Sequence, residues 1–169
     1  MRALAQAADG YDVVLVASNK PDAEGLEWAS KHEIRTWALE SKGIGKEEFD
    51  RRMSTVLDEH GVGTIALAGF MRILSSWFVN EWAGRIVNIH PSLLPKYRGL
   101  DTHARALEAK DSVSGCSVHI VTEELDAGDV LGRAEVPIEP GDTPGTLAQR
   151  VLAAEHDLYP RVLSEFVDR

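Results

Sequence analysis

The stretch Arg85–Pro91 reads RIVNIHP. Its β-branched residues predict a short strand, and the proline that follows ends it. Asn88 and His90 are two residues apart in this strand, so both side chains lie on the same face of a sheet. Ligands of open α/β sheets bind at the carboxyl ends of the strands. The pattern therefore places an amide and an imidazole together at the edge of a crevice.

Short β-branched runs and longer stretches of helical spacing alternate around this strand, which predicts an α/β fold with a largely parallel sheet. Further strands are expected at 11–17, 64–68, 115–121 and 130–138, and helices at 21–31, 46–60 and 75–82. A closing helix is marked by Thr143 as a capping residue and by Pro144 at its first position. Pro160 is expected to kink or restart that helix.

The composition limits the function classes that need to be considered. The 169 residues, 44% of them hydrophobic, suffice for one compact domain. A net charge of -9 disfavours nucleic acid and anionic membranes as partners. The single cysteine, Cys116, excludes an intramolecular disulfide and a cysteine-based metal cluster. No apolar run approaches the roughly 18 residues that a membrane span requires, so we expect a cytoplasmic protein that binds small molecules.

Asn88 and His90 suit the stabilisation of a developing oxyanion. The amide is a neutral donor of fixed direction, and a protonated imidazole is a charged donor that can pass on its proton. A carboxylate nearby would favour the imidazolium, and Asp126 in the acidic turn 124–128 is the candidate. Gly128 would let the backbone approach a ligand closely. Such a centre could transfer an acyl group directly to an attacking amine.

Structural roles are the alternative for each of these residues. An Asn-x-His pair at a strand end can be a satisfied polar pair, and Asp126 can be solvated surface. A metal site built from His90, His103 and His119 has no support from the usual ligand spacings. His119 points either at the crevice or at solvent. Cys116 in a strand interior is expected to be an inert core residue.

Longer motifs carry a family resemblance. They are AGFMRIL at 68–74, NIHPSLLPKYRG at 88–99, SVH at 117–119 with ELD at 124–126, and EHDLYP at 155–160. In this order and spacing the chain resembles the phosphoribosylglycinamide formyltransferase family over nearly all its length. The resemblance implies a three-layer, Rossmann-like, largely parallel sheet. It also implies metal-independent formyl transfer from 10-formyltetrahydrofolate to the amine of glycinamide ribonucleotide in purine synthesis.

The resemblance further implies roles for individual residues. Asn88 and His90 would bind the formyl oxygen, while Asp126 would stabilise protonated His90 and help to relay the proton. Folate contacts would come from Lys46, from Met71, Arg72, Ile73 and Leu74, and from the turn Thr122, Glu123, Glu124 and Leu125. Glu155 would bind the ribonucleotide. The family usually has arginine where Lys46 stands, so the charge is kept but the planar fork is lost.

Two departures from the family pattern affect these expectations. Asp129 stands where many relatives have proline, which adds a charge beside the Asp126 turn. Family members also begin with an additional strand and a Gly-x-Gly-Ser-Asn loop that holds the substrate phosphate. We therefore expect a single formyltransferase domain, 1–169, without that strand and loop and shortened at the C-terminus. The alternatives are a folate-binding chain with little turnover and a formyltransferase or deformylase with another acceptor. The oligomeric state is open.

Overall fold

The computed structural model describes residues Met1–Asp168. The elements in chain order are α1 (Arg2–Gln6), β1 (Leu15–Ser18), α2 (Glu24–Lys31), β2 (Arg35–Ala38), α3 (Lys46–Glu59), β3 (Ile65–Leu67), α4 (Ser76–Glu81), β4 (Ile86–His90), α5 (Thr102–Glu108), β5 (Val113–Ile120), β6 (Val130–Pro137) and α6 (Pro144–Val167). Sequence patterns predicted most of these elements. The exceptions are α1, β2 and α5, which are short and carry no marked apolar periodicity.

The strands form two sheets. β1 and β2 pair in parallel, and β3, β4, β5 and β6 follow one another in a four-stranded sheet. β3 and β4 are parallel, whereas β4–β5 and β5–β6 are antiparallel. The predicted α/β class is confirmed, with the parallel strands on one side and an antiparallel extension on the other. Among residues 1–168, β1 pairs only with β2, and β3 only with β4.

Helices cover both faces of the sheets, which gives three layers. On one face, α6 packs on the four-stranded sheet around Val87, Val118 and Val151. On the other, α3 and α4 form a second cluster around Phe49 and Phe78. That second cluster also contains partly buried side chains from both sheets, namely Leu15, Trp37, Ile65 and Leu67. The two sheets therefore share one helical layer.

Most of the helix signals in the sequence are confirmed, although the helix expected at 21–31 begins only at Glu24. α3 begins at Lys46 as predicted, and the predicted cap Ser75 accepts a hydrogen bond from the N–H of Phe78. Thr143 caps α6 as predicted. The expected restart at Pro160 is wrong, because α6 runs through it without interruption. A buried proline removes only one N–H from this 24-residue helix, and packing on the sheet keeps the rest in place.

None of the helices in residues 1–168 has both the length and the apolar character that crossing a membrane would demand.

Candidate active site

Strand β4 delivers the first two candidate residues as the sequence predicted. Asn88 and His90 lie on the face that also carries Ile86, opposite the face that carries Val87 and Ile89. The imidazole of His90 is buried. The amide of Asn88 is half-buried at the strand's carboxyl end. Because Pro91 ends the strand directly after His90, both groups sit where the sheet gives way to loops.

Asp126 reaches the same place from the turn that follows β5. Its backbone has a left-handed conformation, with φ of 49°, which turns the carboxylate towards β4. Oδ2 accepts a hydrogen bond from the N–H of Gly99 at 2.9 Å and lies 3.4 Å from Nδ1 of His90. The side chain is only 8% exposed. The carboxylate that the sequence suggested for His90 is therefore within charge-pairing distance of it.

The pKa of Asp126 results from opposing influences. Burial acts to raise it, but the hydrogen bond with His119, the N–H of Gly99 and the charge of His90 together outweigh burial. The pKa of the carboxyl consequently lies below its ordinary value. Asp126 is thus an anion throughout the neutral pH range, as a partner of an imidazolium must be.

The backbone fixes which nitrogen of His90 can exchange a proton. Nε2–H donates to the carbonyl oxygen of Tyr97 at 2.9 Å. Nδ1 is therefore the nitrogen beside Asp126, and it is the atom through which the ring can give or take a proton. Tyr97 itself has a positive φ of 56°, and this tight loop brings its carbonyl back over the ring.

His119 belongs to this centre, a role that the sequence left open. It is 2% exposed and faces Asn88 and Asp126, not solvent. Its Nδ1–H donates to the carbonyl of Ile120, so Nε2 faces Nδ2 of Asn88 at 3.3 Å and Oδ1 of Asp126 at 3.5 Å. The neutral ring accepts from the Asn88 amide, and the protonated ring donates to Asp126. A single buried ring thus connects two of the three candidate catalytic residues.

The stretch Met71–Leu74 divides between solvent and core. Met71 is 75% and Ile73 is 69% exposed, whereas Leu74 is buried in the cluster under α3 and α4. The guanidinium of Arg72 lies 4.9 Å from the ring centroid of Phe49, and its Nη2 donates to the carbonyl of Ile44. Two apolar side chains are therefore presented outwards while their neighbours hold the loop.

Lys46 is the first residue of α3 and its side chain is exposed. It follows shortly after Ile44, whose carbonyl accepts the hydrogen bond from Arg72. The end of α3 that carries Lys46 therefore adjoins the loop that carries Met71 and Ile73.

The turn 122–125 is exposed and held by polar contacts at its rim. The hydroxyl of Thr122 donates to the carbonyl of Glu124. Glu123 accepts a hydrogen bond from Asn80, and Glu124 pairs with Arg98. Leu125 is exposed next to Gly99, whose N–H binds Asp126. This turn and the loop after β4 therefore meet over the crevice.

Gly128 packs closely against strand β5. A Cβ there would lie 1.9 Å from the carbonyl oxygen of Ile120. The contact with strand β5 therefore requires glycine at this position. Asp129 is exposed, and its carbonyl accepts a hydrogen bond from the N–H of Ile120.

Glu155 lies half-buried on α6. Burial raises its pKa, and the positive charge of the Met1 amino group opposes this.

Burial likewise raises the pKa of the Cys116 thiol to about 12, so this cysteine is an inert core residue as predicted. The pKa of His103 is lowered by burial and by the charge of His90. Within residues 1–168, no group of three or more possible metal ligands is assembled.

The arrangement as a whole offers two donors at one strand end and an anion beside the imidazole. Fold and site together define an α/β enzyme of the acyl-transfer class.

Comparison with known proteins specifies that class. A family model described as formyl transferase matches residues 1–163. Phosphoribosylglycinamide formyltransferase of Escherichia coli is 49% identical over 154 residues, which are 90% of this chain and 73% of that protein. The chain is also 48% identical over 153 residues to the trifunctional purine biosynthetic protein adenosine-3 of Gallus gallus, of whose length it spans 15%.

Solved structures agree. Phosphoribosylglycinamide formyltransferase from Bacillus halodurans has a TM-score of 0.93 at 35% identity, covering 99% of this chain and 89% of that one. The enzyme from Brucella melitensis has a TM-score of 0.90 at 46% identity, covering 97% and 87%. The chain belongs to the formyl transferase family, and within it to the phosphoribosylglycinamide formyltransferases.

Proposed function

We propose that this protein transfers a formyl group from N10-formyltetrahydrofolate to the amine of 5'-phosphoribosylglycinamide, a step of de novo purine biosynthesis. The observation that carries the proposal is the contact of Nδ1 of His90 with Oδ2 of Asp126, 3.4 Å apart beside the Asn88 amide. Three of the relatives described above are named phosphoribosylglycinamide formyltransferase. Residues 1–169 act as one formyltransferase domain.

The reaction begins with attack of the acceptor amine on the formyl carbon. A carbon–nitrogen bond forms and the formyl oxygen becomes an oxyanion. The Nδ2–H of Asn88 and the Nδ1–H of protonated His90 donate to this oxygen, which develops charge only on the way to the intermediate. Asp126 stabilises the imidazolium while it does so, because its lowered pKa keeps it ionised.

The intermediate collapses when the bond between the formyl carbon and N10 of the folate breaks. The amine loses one proton and N10 gains one, so the step needs a relay and no external oxidant or reductant. Asp126 and Nδ1 of His90 are the groups placed for that relay, directly or through water. No covalent enzyme intermediate and no metal are needed.

The remaining residues bind the two substrates. The exposed apolar side chains of Met71, Ile73 and Leu125 offer a surface for the pterin and benzoyl rings. Arg72, Leu74 and the turn Thr122–Leu125 contribute backbone groups. Lys46 supplies a positive charge for the glutamate carboxylates, and Glu155 binds the ribonucleotide.

A steady-state assay of the purified chain tests the proposal. The donor is formyltetrahydrofolate, and the acceptors offered separately are phosphoribosylglycinamide, a sugar amine and water. Turnover is expected with phosphoribosylglycinamide. Turnover with only a sugar amine or water would show that the acceptor is wrong. Calorimetric binding of the donor without turnover on any acceptor would show a folate-binding chain instead.

A further inference from the structure

Helix α3 carries a buried carboxylate that the proposed reaction does not use. Asp50 is 0% exposed, and its Oδ2 accepts a hydrogen bond from the N–H of Ser75 at 2.6 Å. Its Oδ1 is buried and has no hydrogen-bond partner within residues 1–168. No basic side chain in that part of the chain forms an ion pair with it either. A buried carboxylate with one partner destabilises a fold, so its single bond needs an explanation.

The hydrogen bond of Asp50 is made to the N-cap residue of α4. Ser75 caps α4 and directly follows the loop 69–74, so Asp50 fixes the point where the loop becomes helix. The same end of α3 holds the loop a second time, since Arg72 packs over Phe49 and donates to the carbonyl of Ile44. Both anchors belong to α3 or to Ile44, two residues before it, and both hold the loop from the α3 side.

Near these two anchors, apolar side chains of the loop are exposed to solvent. Ile73 lies between Arg72 and Ser75 and is 69% exposed, and Met71 is 75% exposed. Exposed side chains of this size do not hold a loop in place by their own packing. The conformation of the loop therefore depends on the anchors beneath it.

We propose that Asp50 is a positioning residue for the folate-binding loop. Its carboxylate holds the N–H of Ser75 and so sets the backbone of Met71–Leu74 against the donor substrate. Asp50 touches no substrate itself, and its effect on binding passes through Ser75. This inference rests on the proposed function, because it takes formylfolate as the ligand of the loop.

The chain offers a matched control. The Nε1–H of Trp82 donates to the hydroxyl of Ser54 at 2.9 Å, which is a second buried polar link between α3 and α4. Trp82 lies at the far end of α4 from Ser75. Ser54→Ala therefore removes a link of the same kind between the same helices without touching the loop.

The experiment compares Asp50→Leu, Asp50→Asn and Ser54→Ala in the full chain. Thermal stability, kcat and the KM of each substrate are measured, with the other substrate saturating. Asp50→Leu is expected to raise the KM for formyltetrahydrofolate about tenfold and to leave kcat and the acceptor KM within about twofold. Asp50→Asn keeps an acceptor oxygen for Ser75 and is expected to stay within about threefold of the wild type. Ser54→Ala is expected to lower the Tm only.

An unchanged folate KM in Asp50→Leu, or an equal rise in Ser54→Ala, overturns the inference while leaving the proposed function intact. If Asp50→Leu does not fold, Asp50→Ala is judged by the same criterion. Binding of formyltetrahydrofolate to the wild type is measured first by calorimetry. A wild type that does not bind it overturns the proposed function, and with it this inference.

Discussion

The two faces of strand β4 have different surroundings. Val87 and Ile89 point towards α6 and pack in its apolar cluster, whereas Asn88 and His90 lie on the opposite face, next to His119 and Asp126. These alternating residues belong to one five-residue strand. Neighbouring positions of β4 therefore face different surroundings. We expect substitutions on the Asn88 face to lower kcat and substitutions on the Val87 face to lower the free energy of unfolding.

The largest effect is expected on the crevice face. Asn88→Ala and His90→Ala should each lower kcat by roughly a hundredfold or more, because each removes a donor to the oxyanion. Binding of formyltetrahydrofolate should remain measurable by calorimetry. His60→Ala is the control, since that histidine lies at the end of α3, where its Nδ1 hydrogen-bonds to the carbonyl of Val56 one turn earlier. Unchanged kcat in either crevice variant would refute the assigned role.

The opposite face should show the converse. Val87 is fully buried against α6, so Val87→Ala should lower the free energy of unfolding by about 2 kcal/mol. Its kcat per folded molecule should stay within about twofold of the wild type. Urea denaturation and active-site titration measure the two quantities. A large fall in kcat without loss of stability would mean that the two faces are not separate.

Asp126→Asn should lower kcat by about tenfold or more, because His90 loses its anionic neighbour and the relay loses a carboxylate. The pKa of Asp126 is lowered in the folded protein, so its carboxylate stabilises the fold above the ordinary aspartate pKa. That advantage over the variant should disappear as the pH falls through the lowered pKa. An unchanged kcat would assign Asp126 another role.

The smallest effect is expected at the rim of the crevice. The pair between Arg98 and Glu124 joins the loop after β4 to the exposed turn. Because the pair is solvent-exposed, Arg98→Ala should change the free energy of unfolding by less than about 1 kcal/mol. Its effect should weaken further when salt is added. A loss of unfolding free energy as large as that expected for Val87→Ala would show that this ion pair contributes substantially to stability.

Local signals in the sequence predicted the elements that depend on local physics. α3 has apolar residues at Phe49, Met53 and Leu57, and this spacing placed its start correctly. Ser75 and Thr143 were identified as caps because capping needs only the next few residues. Pro160 was misjudged for the complementary reason, since packing on the sheet keeps the helix intact there.

Contacts between distant residues account for what the sequence could not predict. Asp50 resembles any other acidic residue in a helix until its contact with Ser75, 25 positions away, is known. The sequence does not show that His119 lies beside Asn88. The antiparallel pairing of β4 and β5 places the two residues opposite each other. Asp126 and Gly99 are 27 positions apart. The family motifs pointed to the right region, but the partners of each side chain required the structure.

The division of the strands into two sheets affects how the protein unfolds locally. Within residues 1–168, no main-chain hydrogen bond joins the β1–β2 pair to the four-stranded sheet, and side chains in the layer of α3 and α4 hold the two together. Native-state amide exchange should therefore resolve two cooperative units. The amides of β1 and β2 should exchange through a low-energy opening, while those of β4 and β5 stay protected until the whole chain unfolds.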